Sequence, residues 1–174
     1  MTEIKRTPFT QINEQLGAKM VNFAGYRMPI QYRSIQQEHL RVRNTVGAFD
    51  LSHMGEFFLR GEGTLDFIQR MTTNDASQLA EWQIQYSAMC YPDGGIVDDL
   101  LVYRMPEGFM LVVNAANLQK DFDWLAEHKP ESVELLNQSD EIGLLAIQGP
   151  QAEAVMAKLT DYDLGKIAFY HAAC

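Results

Sequence analysis

Between Trp82 and Val113 the chain carries three β-type runs joined by two tight turns, and few folds accommodate that arrangement. Trp82, Ile84, Tyr86, Ala88 and Cys90 alternate with Gln83, Gln85, Ser87 and Met89. This period of two predicts a strand with one apolar face and one wet face. Pro92-Asp93-Gly94-Gly95 then turns the chain into Ile96–Tyr103, and Pro106-Glu107-Gly108 turns it again into Phe109–Val113. Turns this short join antiparallel neighbours, so a three-stranded antiparallel meander is expected. Its middle strand holds an anomaly, the adjacent carboxylates Asp98 and Asp99. Ile96, Asp98, Leu100 and Val102 share one face of that strand, and Val97, Asp99, Leu101 and Tyr103 share the other. Both faces are apolar, which reads as a strand covered on both sides. An unpartnered carboxylate there costs several kcal/mol or takes up a proton. At least one Asp therefore needs a partner. Either one accepts hydrogen bonds from the turn while the other reaches solvent, or one faces a ligand.

The rest of the chain supplies helices and further strands. Thr7-Pro8 predicts a helix entrance, with Phe9, Ile12 and Leu16 inward before Gly17. A strand is expected over Ala18–Phe23, then an extended arm through Gly25, Met28-Pro29 and Tyr32. Ser34-Ile35-Gln36-Gln37 has capping-box spacing and opens a helix that carries Leu40 and ends near Gly47. Asp50–Arg60 reads as extended, and Thr64 caps a helix with Leu65, Ile68 and Met71 inward. Asn114 is expected to cap a helix with Leu118, Phe122 and Leu125 inward, running to about His128. Strands follow at Val133–Leu136 and Gly143–Ile147. A helix after Gly149-Pro150 then places Ala152, Val155, Met156 and Leu159 inward, and a last short strand covers Lys166–Tyr170. The expected class is α+β, an antiparallel sheet meander with packed helices.

Composition narrows the function. With 174 residues, 47% of them hydrophobic, the chain can bury a substantial core. Fourteen basic against 23 acidic residues give a net charge of −9, and no Lys/Arg-rich stretch tracks phosphates, so nucleic acid is not an expected partner. No run approaches the roughly 20 apolar residues of a membrane span, and the first eight residues lack the apolar core of a signal peptide. A cytoplasmic location without membrane attachment is expected. Cys90 and Cys174 are unpaired in spacing and read as buried or terminal thiols. His39, His53, His128 and His171 lack metal-ligand spacing, so no metal site is expected. Dinucleotide, phosphate-loop and hydrolase-elbow motifs are missing. Ser52-His53 points its two side chains to opposite faces of a strand, a poor nucleophile and base pair.

One constellation remains. Asp99 and Tyr103 share a strand face, Asn114 ends the neighbouring strand, and Tyr86 lies on the preceding one. Two aromatics, a carboxylate and an amide suit a flat, nitrogen-rich heterocycle, whose N–H groups Asp99 would accept. The plainer reading is core tyrosines and a capping Asn.

Several blocks occur in one order: Asn22-Phe23-Ala24-Gly25-Tyr26 with Met28-Pro29, Val46–Glu56, Thr72-Thr73-Asn74-Asp75, Tyr86-Ser87-Ala88-Met89-Cys90, Gly94–Leu100, and Val113-Asn114-Ala115-Ala116-Asn117. Together they resemble the aminomethyltransferase (T-protein) family of the glycine cleavage system over nearly the whole chain. The resemblance implies a tetrahydrofolate-dependent transferase. Such an enzyme takes an aminomethyl group from the lipoyl arm of the H-protein, releases ammonia and forms 5,10-methylenetetrahydrofolate. It implies Asp99 as the catalytic carboxylate, holding the pterin and N10 region and stabilising the iminium cation. It also implies Tyr86, Tyr103, Val112 and Asn114 as lining the folate cavity, with Met54 and Phe58 as apolar neighbours. Phe58 stands where an aliphatic residue is expected, and Tyr170 matches a tyrosine near the site.

Relative to the family, the chain corresponds to the N-terminal part of the folate-binding domain. The resemblance implies that the second half of that domain, with its Thr-Gly-Tyr-Thr-Gly-Glu block, and a C-terminal β-barrel domain are absent from these 174 residues. The 174 residues alone are expected to be weak or inactive. Two rivals stand beside this reading. One is a folate-binding relative outside glycine cleavage, such as the folate domain of dimethylglycine or sarcosine oxidation enzymes or the iron–sulfur-assembly paralogue. The other is a non-catalytic carrier-docking module. Ser52-His53-Met54-Gly55 and the intact Asp98-Asp99 pair favour the T-protein family.

Overall fold

The computed structural model describes residues 4–174, which divide into two compact units. One runs to His53 and takes in Gly143–Lys166; the other comprises Met54–Ile142 and Ile167–Cys174.

In the first unit, α1 (Thr10–Gln15) precedes the antiparallel hairpin of β1 (Lys19–Phe23) and β2 (Tyr26–Gln31), so the expected extended arm is a paired strand. α2 (Ile35–Asn44) follows, and β3 (Gly47–Asp50) pairs antiparallel with β9 (Leu145–Gln148), next to α5 (Ala152–Met156). Helix α1 starts later than the Thr7-Pro8 signal predicts and turns the opposite face inward. Thr10 and Asn13 are buried while Ile12 and Leu16 are exposed. The cause is a buried polar knot. The Thr7 hydroxyl (2.6 Å) and the Asn13 amide (3.1 Å) donate to the Asp50 carboxylate, and the Thr7 N–H donates to Thr10 Oγ1. At α2, Ser34 accepts from the Gln37 N–H as the capping-box spacing predicts. The reciprocal carboxylate is Glu38, which accepts from the N–H groups of Tyr32, Arg33 and Ser34. Leu159 is exposed rather than inward.

The second unit is a five-stranded antiparallel sheet in the order β5-β6-β7-β4-β8, built from β4 (Gly55–Gly61), β5 (Ile84–Cys90), β6 (Ile96–Met105), β7 (Gly108–Val113) and β8 (Val133–Asn137). The expected meander is its β5-β6-β7 half. One face carries Met89, Leu100, Val102, Leu111, Val113, Phe57 and Leu59, and it packs on α3 (Thr64–Met71) and α4 (Leu118–His128) through Phe67, Ile68 and Leu125. Each of these side chains contributes about 1.5–3 kcal/mol of apolar transfer free energy. In α3, Gly63 rather than Thr64 occupies the capping position, and Leu65 is exposed. Lys166–Tyr170 forms no regular strand. Instead, Tyr170 accepts from the Ile84 N–H and the Ala172 N–H reaches Trp82, so the tail partly pairs along the free edge of β5. Both cysteines are exposed. No helix among the described residues is long and apolar enough to cross a membrane.

Two departures bear on function. On β5 the polar side turns inward: Ser87 and Met89 are buried, whereas Tyr86, from the apolar side, is 52% exposed. Ser87 is accommodated because its hydroxyl accepts from the Asn74 N–H at 3.0 Å. On β6, Cys90 pairs with Ile96 but Met89 pairs with Asp98, which makes Val97 the extra residue of a β-bulge. The bulge turns Val97 and Asp98 to the core together and leaves Ile96 exposed, so strict alternation fails at that end of the strand.

Candidate functional site

The face of the five-stranded sheet opposite the core is apolar and only partly covered. Register defines its rows, since paired residues share a face. Tyr86, Leu101, Val112 and Glu56 form one row, and Ile84, Tyr103, Met110, Phe58 and Leu136 form the next. Asp99 pairs with Ala88 one step from the Tyr86 row, and Asn114 follows β7 directly beside it. The apolar alternation read on β5 is therefore real, but it serves this open face.

Asp99 is the charged centre of the face. Its Oδ1 accepts from Asn114 Nδ2 at 2.9 Å, and its Oδ2 accepts from the Tyr86 hydroxyl at 2.8 Å. Both donors are neutral, and among the described residues no lysine or arginine forms an ion pair with Asp99. The carboxylate is thereby fixed in orientation while its negative charge stays uncompensated. The hydrogen bond to Asp99 in turn raises the Tyr86 phenol pKa, so Tyr86 remains a donor. Asn114 stands at the N-cap position of the 3-10 turn Ala115–Asn117, which leads into α4, but its side chain makes no capping bond. Its amide instead bridges the two carboxylates, reaching both oxygens of Asp98 at 3.2 Å as well as Asp99.

Of the residues expected at the site, Tyr86, Asp99 and Asn114 are joined by hydrogen bonds, and Tyr103, Val112 and Phe58 lie on the same sheet face. Val112 is buried; Tyr103 and Phe58 are half-buried. Burial, and secondarily the charge of Glu56, push the Tyr103 phenol pKa up. Met54 is half-buried in the turn entering β4, and Tyr170 sits by its backbone against the β5 edge. Ser52 and His53 form no catalytic pair. The Ser52 hydroxyl engages the Leu144 backbone, and His53 meets Phe23 and Tyr26 edge-on.

Sequence reasoning missed two carboxyls. Glu56 lies on the open face yet is 2% exposed, neither side-chain oxygen meets a donor, and burial pushes its pKa up to about 7. Asp121 on α4 is fully buried. Burial first, then hydrogen bonding to Asp98, raise its pKa to about 8. The signal for Asp121 was present, since Leu118 and Leu125 lie three and four residues away and put it on the buried stripe of α4.

A cavity of about 470 Å³ occurs in the first unit, lined by Phe23, Met28, Tyr32, Phe49 and His53 among others. It contains none of the expected site residues, and its two carboxylates, Asp50 and Glu38, are taken up by local bonds, Asp50 accepting from Thr7, Asn13 and the Ser52 N–H and Glu38 from the N–H groups of Tyr32, Arg33 and Ser34. The chemistry therefore points to the sheet face. Among the described residues no group of three or more His, Cys, Asp or Glu side chains forms a metal cluster.

Comparison with known proteins supplies an independent line. Residues 9–174 match the family model described as the GCVT N-terminal domain. The chain is 55% identical over 170 residues to an aminomethyltransferase of Chloroherpeton thalassium, covering 97% of this chain and 47% of that protein. It is 48% identical over 165 residues to the aminomethyltransferase of Bacillus subtilis, covering 94% of this chain and 46% of that protein. The crystal structure of glycine cleavage system aminomethyltransferase T from Bartonella henselae superimposes with a TM-score of 0.86 at 35% identity, over 97% of this chain and 46% of that one. The chain thus spans about half the length of these relatives.

Proposed function

The chain belongs to the GCVT N-terminal domain family, and from that premise we propose that it provides the Asp99 half of the folate site of a tetrahydrofolate-dependent aminomethyltransferase. The one-carbon unit arrives on the lipoyl arm of the H-protein, ammonia leaves, and tetrahydrofolate receives the carbon. The observation that carries this reading is the Tyr86–Asp99–Asn114 array on an open apolar sheet face.

The array fits the chemistry. Departure of ammonia from an aminomethyl thioether leaves positive charge on the carbon being transferred. A carboxylate held rigidly by two neutral donors, with no cation of its own, stabilises that charge without reorganising when it develops. Asp99 acts electrostatically rather than by abstracting a proton. Tyr86, Tyr103 and Phe58 offer aromatic surface to the pterin and the aminobenzoyl ring, and Val112, on the same sheet face, adds apolar surface. Met54 provides an apolar contact at the entry to β4.

Calorimetric titration of tetrahydrofolate into the wild-type chain and Asp99→Asn tests the reading. Saturable binding in the wild type and a loss of about tenfold or more in the variant, with unchanged circular dichroism, are expected for removal of a charged acceptor. Equal binding by the two proteins would remove Asp99 from the site. Capture of lipoylated H-protein by the chain tests the partner separately.

A further inference from the structure

Behind Asp99, on the core side of the sheet, lies a second carboxyl pair that the folate reading does not use. Asp98 is turned inward by the Val97 bulge, and Asp121 reaches it from α4. Asp121 is fully buried, and neither of its oxygens receives an N–H or O–H donor from a neighbouring residue. The charged groups around it are Asp98 and Asp99 on β6 and Lys120 on its own helix. Lys120 spends its ammonium on the Val97 carbonyl at 2.6 Å. Two carboxylates in hydrogen-bonding contact and out of water cannot both stay ionised.

Which one holds the proton follows from Asn114. An amide nitrogen carries two N–H bonds and no acceptor. Asn114 directs that nitrogen at the Asp98 oxygens, at 3.2 Å, at the Asp99 carbonyl, at 3.1 Å, and at Asp99 Oδ1, at 2.9 Å. A donor at Asp98 favours its ionised form, whereas Asp121, fully buried and with no donor at either oxygen, is the member that keeps the proton.

We propose that Asp121 is a positioning residue, a neutral carboxylic acid that donates to Asp98 and so keeps Asp98 an acceptor that orients the Asn114 amide toward Asp99. The array runs Asp121–H to Asp98, Asn114 N–H to Asp98, Asn114 N–H to Asp99, and Tyr86 O–H to Asp99. Asp121 touches no ligand; it acts through Asn114. The consequence for binding rests on the folate reading of Asp99, whereas the placement of the proton does not.

The test compares wild type, Asp121→Asn, which keeps a donor of the same shape, and Asp121→Leu, which removes it. Infrared spectroscopy of 13C-aspartate-labelled protein at pH 7 should show a protonated-carboxyl stretch in the wild type, retained in Asp99→Asn and absent in Asp121→Asn. The Asn114 side-chain amide should stay protected from hydrogen exchange in wild type and Asp121→Asn and lose protection in Asp121→Leu. Tetrahydrofolate affinity should follow, within about twofold for Asp121→Asn and down about tenfold for Asp121→Leu, as expected when a buried acceptor loses its donor. Absence of a protonated aspartate in the wild type overturns the proposal, and that readout stands even if the leucine variant does not fold. Equal loss of amide protection in the asparagine and leucine variants overturns it too. If no protein binds tetrahydrofolate while the infrared and exchange results hold, the folate reading fails and the proton placement stands.

Discussion

At the scale of single residues, the organising fact is that Asp99 has its two oxygens held by different donors from different strands. Tyr86 reaches Oδ2 from β5, and Asn114 reaches Oδ1 from the end of β7. Tyr86→Phe removes the first and leaves the aromatic surface. Its expected effect is a loss of tetrahydrofolate affinity of roughly threefold to tenfold, the usual scale for one hydrogen bond to a charged group near solvent, with no change in melting temperature beyond a degree or two. Competition binding against the wild type measures it, and unchanged affinity would mean that Tyr86 does not orient the carboxylate. Much of this cluster was legible in the sequence. Strand alternation separates Asp98 from Asp99 and puts Asp99 with Tyr103, and the family resemblance points to Asp99. The role of Asn114 was not legible, because an Asn between a strand and a helix reads as a cap. Its use as a bridge between two carboxylates depends on a bulge that no residue pattern announces.

At the scale of elements, the meander follows from its turns, and the turns depend on particular backbone angles. Gly108 has φ +108°, and a Cβ there would lie 2.1 Å from the Leu59 carbonyl oxygen of the neighbouring strand β4. Gly108→Ala is expected to cost at least about 2 kcal/mol in urea unfolding, combining a strained backbone angle with displacement of β4. A cost under half a kcal/mol would show that the β6–β7 turn relaxes freely. The same element carries the clearest misreading. The β5 alternation is correct in period, but its polar side faces inward, because Ser87 has a hydrogen-bonding role against Asn74 and the apolar side lies on the sheet face away from the core. Periodicity identifies the two faces of a strand without saying which is covered. Helix α1 departs from its pattern for a similar reason, since Asn13 bonded to Asp50 and Thr10 bonded to Thr7 are buried in place of Ile12 and Leu16.

At the scale of the whole molecule, two buried carboxyls set the dependence of stability on pH. Glu56 and Asp121 have folded-state pKa values of about 7 and about 8, raised from 4.5 and 3.8, in each case chiefly by burial. Between about pH 4 and pH 8 the folded chain therefore holds protons that the unfolded chain has released, and stability falls as pH rises through that window. Glu56→Gln removes one of these protons from the linkage. Its unfolding free energy should exceed that of the wild type by up to about 3 kcal/mol at pH 8 and match it near pH 4.5. Urea denaturation at the two pH values measures this, and equal stability at pH 8 would show that Glu56 finds a partner or water when it ionises. The α+β class and the order of the main strands were legible from periodicity and turns. The pairing of β4 between β7 and β8 was not, because non-local register is decided by packing rather than by local pattern.

The central claim is that the sheet face bearing Asp99 is where tetrahydrofolate binds. Titration of tetrahydrofolate into 15N-labelled chain, followed by backbone amide shifts, tests it most directly. Shifts confined to Tyr86–Ala88, Asp99–Tyr103, Met110–Asn114 and Glu56–Phe58 are the predicted result. Shifts centred instead on Phe23, Met28, Phe49 and His53, around the cavity of the first unit, would contradict it.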